Sequence, residues 1–351
     1  MSKVLRFGVF GSGAIAQRRH LPEIHAHANA QVVAIADPNK ARVKQIAEQY
    51  GATAYSNHQH LLADESLKLD AVVVATPNDD HAPQTIDALK AGCHVLVEKP
   101  MAGTLVEARK MNKAAKAARK HLMIGMNQRL MPPHAKAKQL LDLGTLGRIL
   151  TFETTFKHPG PDGWSVDGAH SWFFKKKDAL MGVCGDLGVH KADLMRFLTG
   201  DEIVRVGGFV KTLDKKLPNG KPIQVDDNAF ITMETESGAI GTMNISWTHY
   251  GNFEDNGTTL YCEHGVMRIG QDPQYGVMID FRDGQKERYE VGEVATNEKQ
   301  VSSGVADEFI EGILTRTKPR INGEEGFKAL SVIVTSIEAA KEGKMKKVPL
   351  K

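Results

Sequence analysis

The segment Gly11-Ser12-Gly13-Ala14-Ile15-Ala16 limits what this chain can fold into more than any other, because it follows a strand-like run and opens a candidate helix. In a GxGxxA pattern the first glycine permits a tight turn, and the second lets the backbone approach a pyrophosphate. The final small residue lets the helix lie close to the strand. Backbone amides at the helix N-terminus then attract phosphate. A glycine-rich turn can show this pattern for structural reasons alone, so the motif needs support from its surroundings.

The next apparent strand, Gln31 to Ala36, supplies that support because it ends in Asp37, 21 residues beyond Ala16. In dinucleotide-binding domains, a carboxylate at this spacing accepts hydrogen bonds from the adenosine ribose hydroxyls. The alternative interpretation of Asp37 is an exposed aspartate before a proline, with no role in binding. Such a carboxylate would repel a 2′-phosphate, so the predicted cofactor is NAD. Arg42 and Lys40 lie close enough in sequence to soften this preference, which leaves NADP as the alternative.

From Leu5 to about Gly125, short apolar runs alternate with longer amphipathic stretches. The candidate strands are Leu5 to Phe10, Val32 to Ala36, Ala71 to Ala75, His94 to Val97 and Leu122 to Gly125. The candidate helices include Ala41 to Tyr50, His81 to Ala91 and Leu105 to Lys120. Strands that are apolar throughout and separated by helices indicate a parallel sheet covered on both faces. Residues 1–125 are therefore predicted to form a doubly wound α/β domain of the Rossmann type.

After about Met126 the strands follow one another through hairpin-like turns. Apolar residues alternate with polar ones in two neighbouring runs: Ala229, Ile231 and Met233, then Met243, Ile245 and Trp247. This alternation predicts a large, open, mostly antiparallel sheet covered by helices on one side only, with the other side left for solvent or a second subunit. Residues 126–351 are predicted to form this α+β domain.

Two late helices show apolar periodicity. The first carries Val301, Val305, Phe309 and Ile313, and the second carries Phe327, Leu330, Val334 and Ile337. The C-terminal helix is expected to pack back on the first domain.

Composition narrows the class of partner. The chain has 351 residues with 45 Lys and Arg against 42 Asp and Glu, a formal charge of +3. This balance gives no argument for nucleic acid or a membrane as the main partner. The three cysteines form no CxxC pair or zinc pattern, and the N-terminus carries no apolar signal core. We therefore expect a cytoplasmic protein.

Two loops follow predicted strands of the first domain. Thr76-Pro77-Asn78, with His81 close behind, comes after the strand ending at Ala75, and Glu98-Lys99-Pro100 comes after the strand ending at Val97. Ligands of open α/β sheets bind outside the carboxyl ends of the strands, so both loops are candidates to face the dinucleotide. Taken alone, the first could be a turn with a helix cap and the second a surface lysine.

A glycine-led segment in the second domain, Gly182-Val183-Cys184-Gly185, precedes three titratable groups. If a helix begins near Asp186, then Asp186, His190 and Asp193 stand at i, i+4 and i+7 on one face. Metal binding with Cys184 as a further ligand is one explanation, but no other stretch supplies the remaining ligands. We therefore predict no metal site. A buried histidine with carboxylate neighbours is the structural alternative.

Taken in order, these landmarks resemble the glucose-fructose oxidoreductase, inositol dehydrogenase and MocA family (Gfo/Idh/MocA) over essentially the whole chain. They are the GxGxxA turn, Thr76-Pro77-Asn78 with His81, Glu98-Lys99-Pro100, Asn127-Gln128-Arg129, and the Asp186, His190 and Asp193 helix. The resemblance implies a Rossmann domain followed by a domain whose open sheet often pairs subunits, hence a homodimer or homotetramer. Many members have a Gly-Gly-Gly run where this chain has Gly182-Val183-Cys184-Gly185, which leaves the local backbone open.

The resemblance also implies that Lys99, Asp186 and His190 surround the reacting carbon. The predicted function is hydride transfer between nicotinamide and a secondary hydroxyl or ketone of a sugar or cyclic polyol, with an inositol-like substrate favoured. Removing the hydroxyl proton needs a base and a cationic neighbour, and His190 and Lys99 supply them. Two alternatives stay open: an NAD-dependent glycosidase of the same family, and a non-catalytic dinucleotide-sensing protein. Retention of all three side chains argues against the second.

The predicted site residues fall into two groups. The cofactor-binding residues are Gly11, Gly13, Ala14, Ile15, Ala16, Asp37, Arg42, Thr76, Pro77, Asn78, His81, Glu98, Lys99 and Asn127. The substrate-binding residues are Lys99, Arg129, Trp164, Trp172, Asp186, His190 and His249, with Asn127 and Tyr250 as further candidates for the pocket lining. Aromatic and polar side chains of this kind suit a compact polyhydroxyl ring.

Overall fold

A computed structural model describes residues 3–251, 254–294 and 302–351 of the chain. The chain divides into two compact units. The first comprises Met1–Met126, Trp164–Val166 and Asn297–Phe327, and the second comprises Asn127–Gly163, Asp167–Thr296 and Lys328–Lys351. Val301, predicted to begin a late helix, lies outside the described residues.

The first unit is built on a six-stranded sheet. Its strands are β1 (Leu5–Phe10), β2 (Ala30–Ala36), β3 (Thr53–Tyr55), β4 (Ala71–Val74), β5 (His94–Val97) and β6 (Leu122–Ile124). Their order is β3-β2-β1-β4-β5-β6, and every neighbouring pair is parallel. The predicted doubly wound sheet is confirmed. Strand β3 was not predicted because it has only three residues, none of them buried.

Helices accompany this sheet. They are α1 (Leu21–Ala26), α2 (Lys40–Gln49), α3 (His58–Ala63), α4 (His81–Lys90), α5 (Leu105–Ala118) and α9 (Val305–Thr315). Helix α2 begins one residue earlier than predicted because the Asn39 side chain accepts a hydrogen bond from the Arg42 amide and caps it. Helix α5 ends at Ala118 because Arg119 adopts the left-handed conformation, with φ of 54°. Phe7 of β1 packs edge-on against Phe309 of α9.

The second unit is built on a nine-stranded sheet. Its strands are β7 (Ile149–Lys157), β8 (Ile203–Lys211), β9 (Asn228–Thr235), β10 (Ile240–Ser246), β11 (Thr258–Cys262), β12 (Gly265–Ile269), β13 (Val277–Phe281), β14 (Lys286–Tyr289) and β15 (Lys346–Lys347). Their order is β14-β13-β12-β11-β7-β10-β9-β8-β15. All pairs are antiparallel except β7 with β10, so the mostly antiparallel sheet is confirmed.

Three further helices belong to this unit: α6 (Pro132–Asp142), α7 (Lys176–Ala179) and α8 (Val189–Thr199). A tenth, α10 (Gly323–Glu342), has its first residues in the first unit and the rest in the second. Side chains of β10 and α10 lie so close to Gly188, just before α8, that an added Cβ would come within 2.8 Å of Ile245 and 2.9 Å of Ile333. The apolar face of β10 is therefore packed under helices. In the part of the chain described, no helix is both long and apolar enough to cross a membrane.

Candidate active site

The turn after β1 has the shape that the GxGxxA pattern predicts. Gly11 has a φ of 89°, and a Cβ there would lie 2.3 Å from the Ala75 carbonyl oxygen, so only glycine fits. At Gly13 no atom lies within 4 Å of where a Cβ would be, so the backbone is open to an approaching group. A π-helical turn, Ala16–His20, then runs directly into α1. This open turn at a helix start fits the pyrophosphate of a dinucleotide.

Asp37, at the end of β2, is buried and bonded to the same turn. Its Oδ2 accepts hydrogen bonds from the amide and the hydroxyl of Ser12, both at 2.8 Å, and its Oδ1 accepts one from the Asn39 amide at 2.8 Å. Arg42 Nη2 lies 3.1 and 3.2 Å from the two carboxylate oxygens. The structure therefore brings together the turn, the predicted ribose-binding carboxylate and Arg42. Sequence reasoning did not single out Ser12, although it lies inside the motif.

His81 joins the loop after β4 to the loop after β5. Its Nδ1 lies 2.8 Å from the Pro100 carbonyl oxygen, and its Nε2 lies 2.9 Å from the Thr76 carbonyl oxygen. Burial lowers the pKa of His81, against the effect of these two carbonyl groups, which favour the doubly protonated ring. The Thr76 hydroxyl also donates to Gln84 Oε1 at 3.0 Å. These contacts hold Thr76-Pro77-Asn78 and Glu98-Lys99-Pro100 next to each other.

Glu98 forms a buried pair with His20, a residue that sequence reasoning missed. His20 Nε2 lies 2.7 Å from Glu98 Oε1, and Glu98 Oε2 accepts a hydrogen bond from the Lys99 amide at 3.2 Å. Burial opposes ionisation of Glu98, but the His20 hydrogen bond and the charges of His20, Lys99 and Arg19 outweigh it and hold the pKa at about 2. A Cβ at Gly125 would lie 2.9 Å from Glu98 Oε1, so a larger residue there would have to displace this carboxylate. The carboxylate thus fixes the backbone of Lys99.

In the second unit, Asp186 lies in a π-helical turn, Cys184–Gly188, and His190 in the helix α8 that continues it. Both are buried. Trp247 Nε1 donates to Asp186 Oδ2 at 3.1 Å, and His158 Nε2 lies 3.8 Å from the same oxygen. His158 Nδ1 accepts from the Gly160 amide at 2.9 Å, which leaves Nε2 to carry the proton that points to Asp186.

Asp226 explains the departure from the Gly-Gly-Gly run. Its carboxylate accepts hydrogen bonds from the amides of Gly182 and Cys184 at 3.0 and 2.7 Å, and its carbonyl accepts one from the Val183 amide at 2.8 Å. A Cβ at Gly182 would lie 1.8 Å from that carbonyl oxygen, so this glycine is required. Val183 and Cys184 have buried side chains, so their positions tolerate residues larger than glycine. Burial and Asp226 raise the pKa of the Cys184 thiol well above its usual value, which makes it unreactive.

Asp193, the third member of the predicted helical face, pairs with Arg129. Arg129 Nε lies 2.7 Å from Asp193 Oδ2, and Nη2 lies 2.6 Å from Oδ1, a bidentate buried contact. The same guanidinium lies 5.4 Å above the ring of Phe197. Arg129 therefore has a structural role at α8 that is separate from its predicted role in substrate binding.

The remaining predicted residues are distributed as follows. Trp164 belongs to the first unit, whereas Asn127, Trp172, His249 and Tyr250 belong to the second. Trp172 stacks on Phe173 with ring centroids 3.9 Å apart. The Tyr250 hydroxyl donates to Asp214 at 2.5 Å, and burial together with that carboxylate raises its pKa. Among the described residues, no group of three or more His, Cys, Asp or Glu could hold a metal ion.

Comparison with protein families gave two matches. Residues 5–126 match the family described as "Oxidoreductase family, NAD-binding Rossmann fold", and residues 134–268 match the "GFO/IDH/MocA C-terminal domain". These matches place the NAD-binding function in the part of the chain that contains the GxGxxA turn, Asp37 and Lys99.

Similar proteins include sugar and inositol dehydrogenases. The chain is 30% identical over 278 residues to levoglucosan dehydrogenase of Pseudarthrobacter phenanthrenivorans, covering 72% of this chain and 68% of that protein. It is 27% identical to scyllo-inositol 2-dehydrogenase (NAD(+)) of Bacillus subtilis, over 82% of this chain and 84% of that one. A solved structure of levoglucosan dehydrogenase in complex with NADH and levoglucosan matches with a TM-score of 0.86 at 24% identity, over 99% of this chain and 100% of that one. This last match shows a shared fold.

Proposed function

The chain is a member of the GFO/IDH/MocA oxidoreductase family, as its motifs predicted, and on that premise we propose that it is an NAD-dependent dehydrogenase of a sugar or cyclic polyol. It oxidises a secondary hydroxyl, or runs the reduction in reverse, and an inositol-like ring is the favoured substrate. Two of the similar proteins are named for levoglucosan and scyllo-inositol, both compact polyhydroxyl rings.

The observation that carries the proposal is the buried setting of Asp186 and His190. Two ring N–H groups, those of Trp247 and His158, point to one oxygen of Asp186. Asp186 is thus a buried, oriented carboxylate one helical turn from a buried histidine. A positioned carboxylate beside a histidine is the equipment that proton transfer in the reaction needs.

The chain's own residues then have the following roles. A bound nicotinamide supplies the hydride acceptor. His190 takes the hydroxyl proton, since a neutral imidazole is a good base near physiological pH. Lys99 donates a hydrogen bond from its ammonium to the same oxygen and stabilises the developing alkoxide. Asp186 holds either the substrate or the imidazole in place.

The other predicted residues complete this proposal. Asp37 binds the ribose diol of NAD, while Asn127, Trp164, Trp172 and His249 line the substrate site. Arg129 contributes through its pair with Asp193, which orients α8 and with it His190. NADP is the weaker cofactor because Asp37 repels a 2′-phosphate, although Arg42 reduces that repulsion.

The test is a substrate panel. Inositols, anhydrosugars, aldoses and sugar acids are incubated with NAD and separately with NADP, and the absorbance of the reduced cofactor is followed. We expect reduction of NAD with at least one cyclic polyol, and reduction at least about 10²-fold slower with the His190→Gln variant. Binding of NAD without its reduction by any member would contradict the proposal. Hydrolysis of a glycoside without net reduction would indicate the family's NAD-dependent glycosidase chemistry instead.

We also propose that the protein self-associates, as a dimer or a dimer of dimers, through the outer face of the nine-stranded sheet. Phe209 and Phe230 are opposite each other on β8 and β9, with 71% and 58% of their surface exposed, and Ile240 on β10 is 57% exposed. An apolar surface of this kind is typical of an interface. Light scattering at micromolar concentration should give a mass that is a multiple of 38.4 kDa, and the Phe230→Lys variant should have a lower mass.

A cytoplasmic location is part of the proposal, supported by three free, buried cysteines.

A further inference from the structure

Lys191 is an unusual residue of the second unit because its side chain is wholly buried and its ammonium makes no hydrogen bond to a described residue. Its exposed fraction is 0%, and Nζ has no hydrogen-bond partner among the described residues. The ring of Phe156 on β7 lies beside it, with its centroid 5.8 Å from Nζ. Lysine is almost never fully buried unless it is paired, so this position calls for an explanation.

The side chains near Lys191 do not supply that partner. His134, on α6, donates its Nδ1 proton to the Gln128 carbonyl oxygen at 2.8 Å, and burial together with the charge of Lys191 lowers its pKa to about 3. Asp255 is already bound by Lys157 at 3.0 Å, and Glu254 accepts from Asn256 at 3.2 Å. Both carboxylates act on Lys191 only at longer range.

Several other charges on the elements packed against α8 are paired with one another or with neighbouring residues. The packed elements are α6, β7, the turn at 128–130 and the π-helical turn before α8. Their titratable and charged groups, with those of α8 itself, are His134, Lys136, Lys138, Asp142, Arg129, Glu153, Lys157, His158, Asp186, His190, Asp193 and Arg196. Arg129 is paired with Asp193, Lys138 with Asp142, and Arg196 with Glu202. His134 already responds to the charge of Lys191, through its lowered pKa, and donates to the Gln128 carbonyl oxygen. The proposed catalytic group beside Lys191 is its neighbour on α8, His190.

Phe156 connects the two residues. Its ring centroid lies 6.1 Å from that of His190 and 5.8 Å from Lys191 Nζ, so consecutive residues of α8 contact one aromatic ring. The surroundings are buried, and charge interactions are stronger there than in water. The two distances place Lys191 Nζ no more than about 12 Å from the centre of the His190 ring. At an effective dielectric constant of about 20, two charges about 12 Å apart change each other's pKa by about one unit.

We propose that Lys191 is a positioning residue that acts by charge: its buried ammonium opposes protonation of His190 and keeps the imidazole available as a base at acidic pH. The inference rests on the proposed role of His190. With Lys191 charged, His190 binds its proton only at a lower pH, because a second positive charge must then form beside Phe156. Lys191 would therefore extend the pH range in which the enzyme is active to lower values.

Lys191 itself should change its charge near neutral pH. Burial lowers the pKa of Lys191 to about 7, although the charges of Glu254 and Asp255 act to raise it. Each proton taken up by one group therefore makes the next proton harder to bind at the other. In the native protein the protonation of His190 is spread over a wider pH interval than that of an isolated histidine.

The test compares Lys191→Met with the matched control Lys138→Met, which removes the same charge from a partly exposed position on α6. The protein is labelled with ¹³C at histidine Cε1, and the His190 signal is assigned by its absence in His190→Gln. We expect the midpoint of His190 to rise by about 0.5 to 1 pH unit in Lys191→Met and to follow a one-proton curve. The control should leave it unchanged.

If the His190 midpoint in Lys191→Met lay within about 0.2 pH unit of the native value, the inference would be overturned, since loss of the charge should raise it by about 0.5 to 1 pH unit. Lys191→Gln provides a second neutral variant if the methionine does not fold. Turnover of scyllo-inositol or levoglucosan separates the two proposals. One outcome would separate them: the NMR midpoint of His190 shifts in Lys191→Met, but the acidic limb of the pH profile does not. His190 would then not be the base, while the charge coupling between Lys191 and His190 would still be supported.

Discussion

The indole nitrogen of Trp247 donates a hydrogen bond to Oδ2 of Asp186 at 3.1 Å, although 61 residues separate them in sequence. Trp247 is fully buried and packs edge-on against Phe173 and Phe174. The carboxylate is thus oriented by a side chain that cannot move without disturbing an aromatic cluster. Trp247, which directly follows β10, therefore positions Asp186, a proposed catalytic residue.

Trp247→Phe should therefore weaken catalysis more than cofactor binding. The substitution keeps an aromatic ring but removes one donor to a charged acceptor, a contribution of about 1.5 to 3 kcal/mol. We expect kcat/KM for the polyol to fall by about 10-fold or more, with the Kd for NAD unchanged. Phe174→Leu loosens packing on the same ring but keeps the hydrogen bond, so it is the control. Equal losses in the two variants would mean that the hydrogen bond has no role of its own.

His190→Ala should lower turnover by about 10²- to 10⁴-fold, the usual result of removing a general base. NAD binding should be almost normal, because the substitution leaves the GxGxxA turn unchanged. The acidic limb of the pH profile near neutrality should disappear, whereas Lys99→Ala should be similarly slow and keep that limb. Steady-state kinetics from pH 5 to 9 give the answer. Near-native turnover with an unchanged profile in His190→Ala would transfer the base role to Lys99.

Asp37→Ser should shift the cofactor preference toward NADP. The native carboxylate accepts from Ser12 and Asn39, and Arg42 lies beside it, so removing its charge leaves Arg42 free to attract a 2′-phosphate. Loss of hydrogen bonds to a charged group should reduce kcat/KM for NAD by about 10- to 100-fold. Lys40→Ala, which removes a nearby charge that makes no contact with Asp37, should change the ratio little. A native enzyme that prefers NADP over NAD would refute this reading of Asp37.

Glu98 should make the stability of the protein depend on pH on the acid side. Burial opposes its ionisation, but His20 and the neighbouring cations hold its folded pKa at about 2, below the ordinary value of 4.5. A lowered carboxylate pKa stabilises the folded state above the unfolded pKa, and the contribution is lost as pH falls from 4.5 toward 2. Relative to Glu98→Gln, the native protein should lose about 1 kcal/mol of its free energy of unfolding between pH 7 and pH 4.

Urea unfolding at the two pH values measures this difference. Glu107→Gln changes a partly exposed carboxylate of the same unit, which accepts a hydrogen bond from Thr104 at the start of α5, and should show no comparable change. If the stability difference between native protein and Glu98→Gln stayed constant across this interval, the His20–Glu98 pair would not hold the carboxylate ionised.

The sequence by itself determined the parts of the protein that depend on neighbours a few positions apart. The turn from Gly11 to Ala16, the alternation of apolar strands with helices, and the position of Asp37 at a strand end are all local patterns, and each is found where it was predicted. A steric requirement such as the left-handed φ of Gly11 can be read from residue type, because only glycine adopts it at little cost.

Only the tertiary structure decided which side chains pair. His20 with Glu98, Arg129 with Asp193, and Trp247 with Asp186 are separated by 78, 64 and 61 residues. The partner of a polar group is set by which strands lie side by side. The parallel pairing of β7 with β10 in an otherwise antiparallel sheet has no local signal. The burial of Lys191 likewise follows from packing of α8 against α6 and β7, since no pattern within the helix distinguishes a lysine in solvent from one enclosed among other side chains.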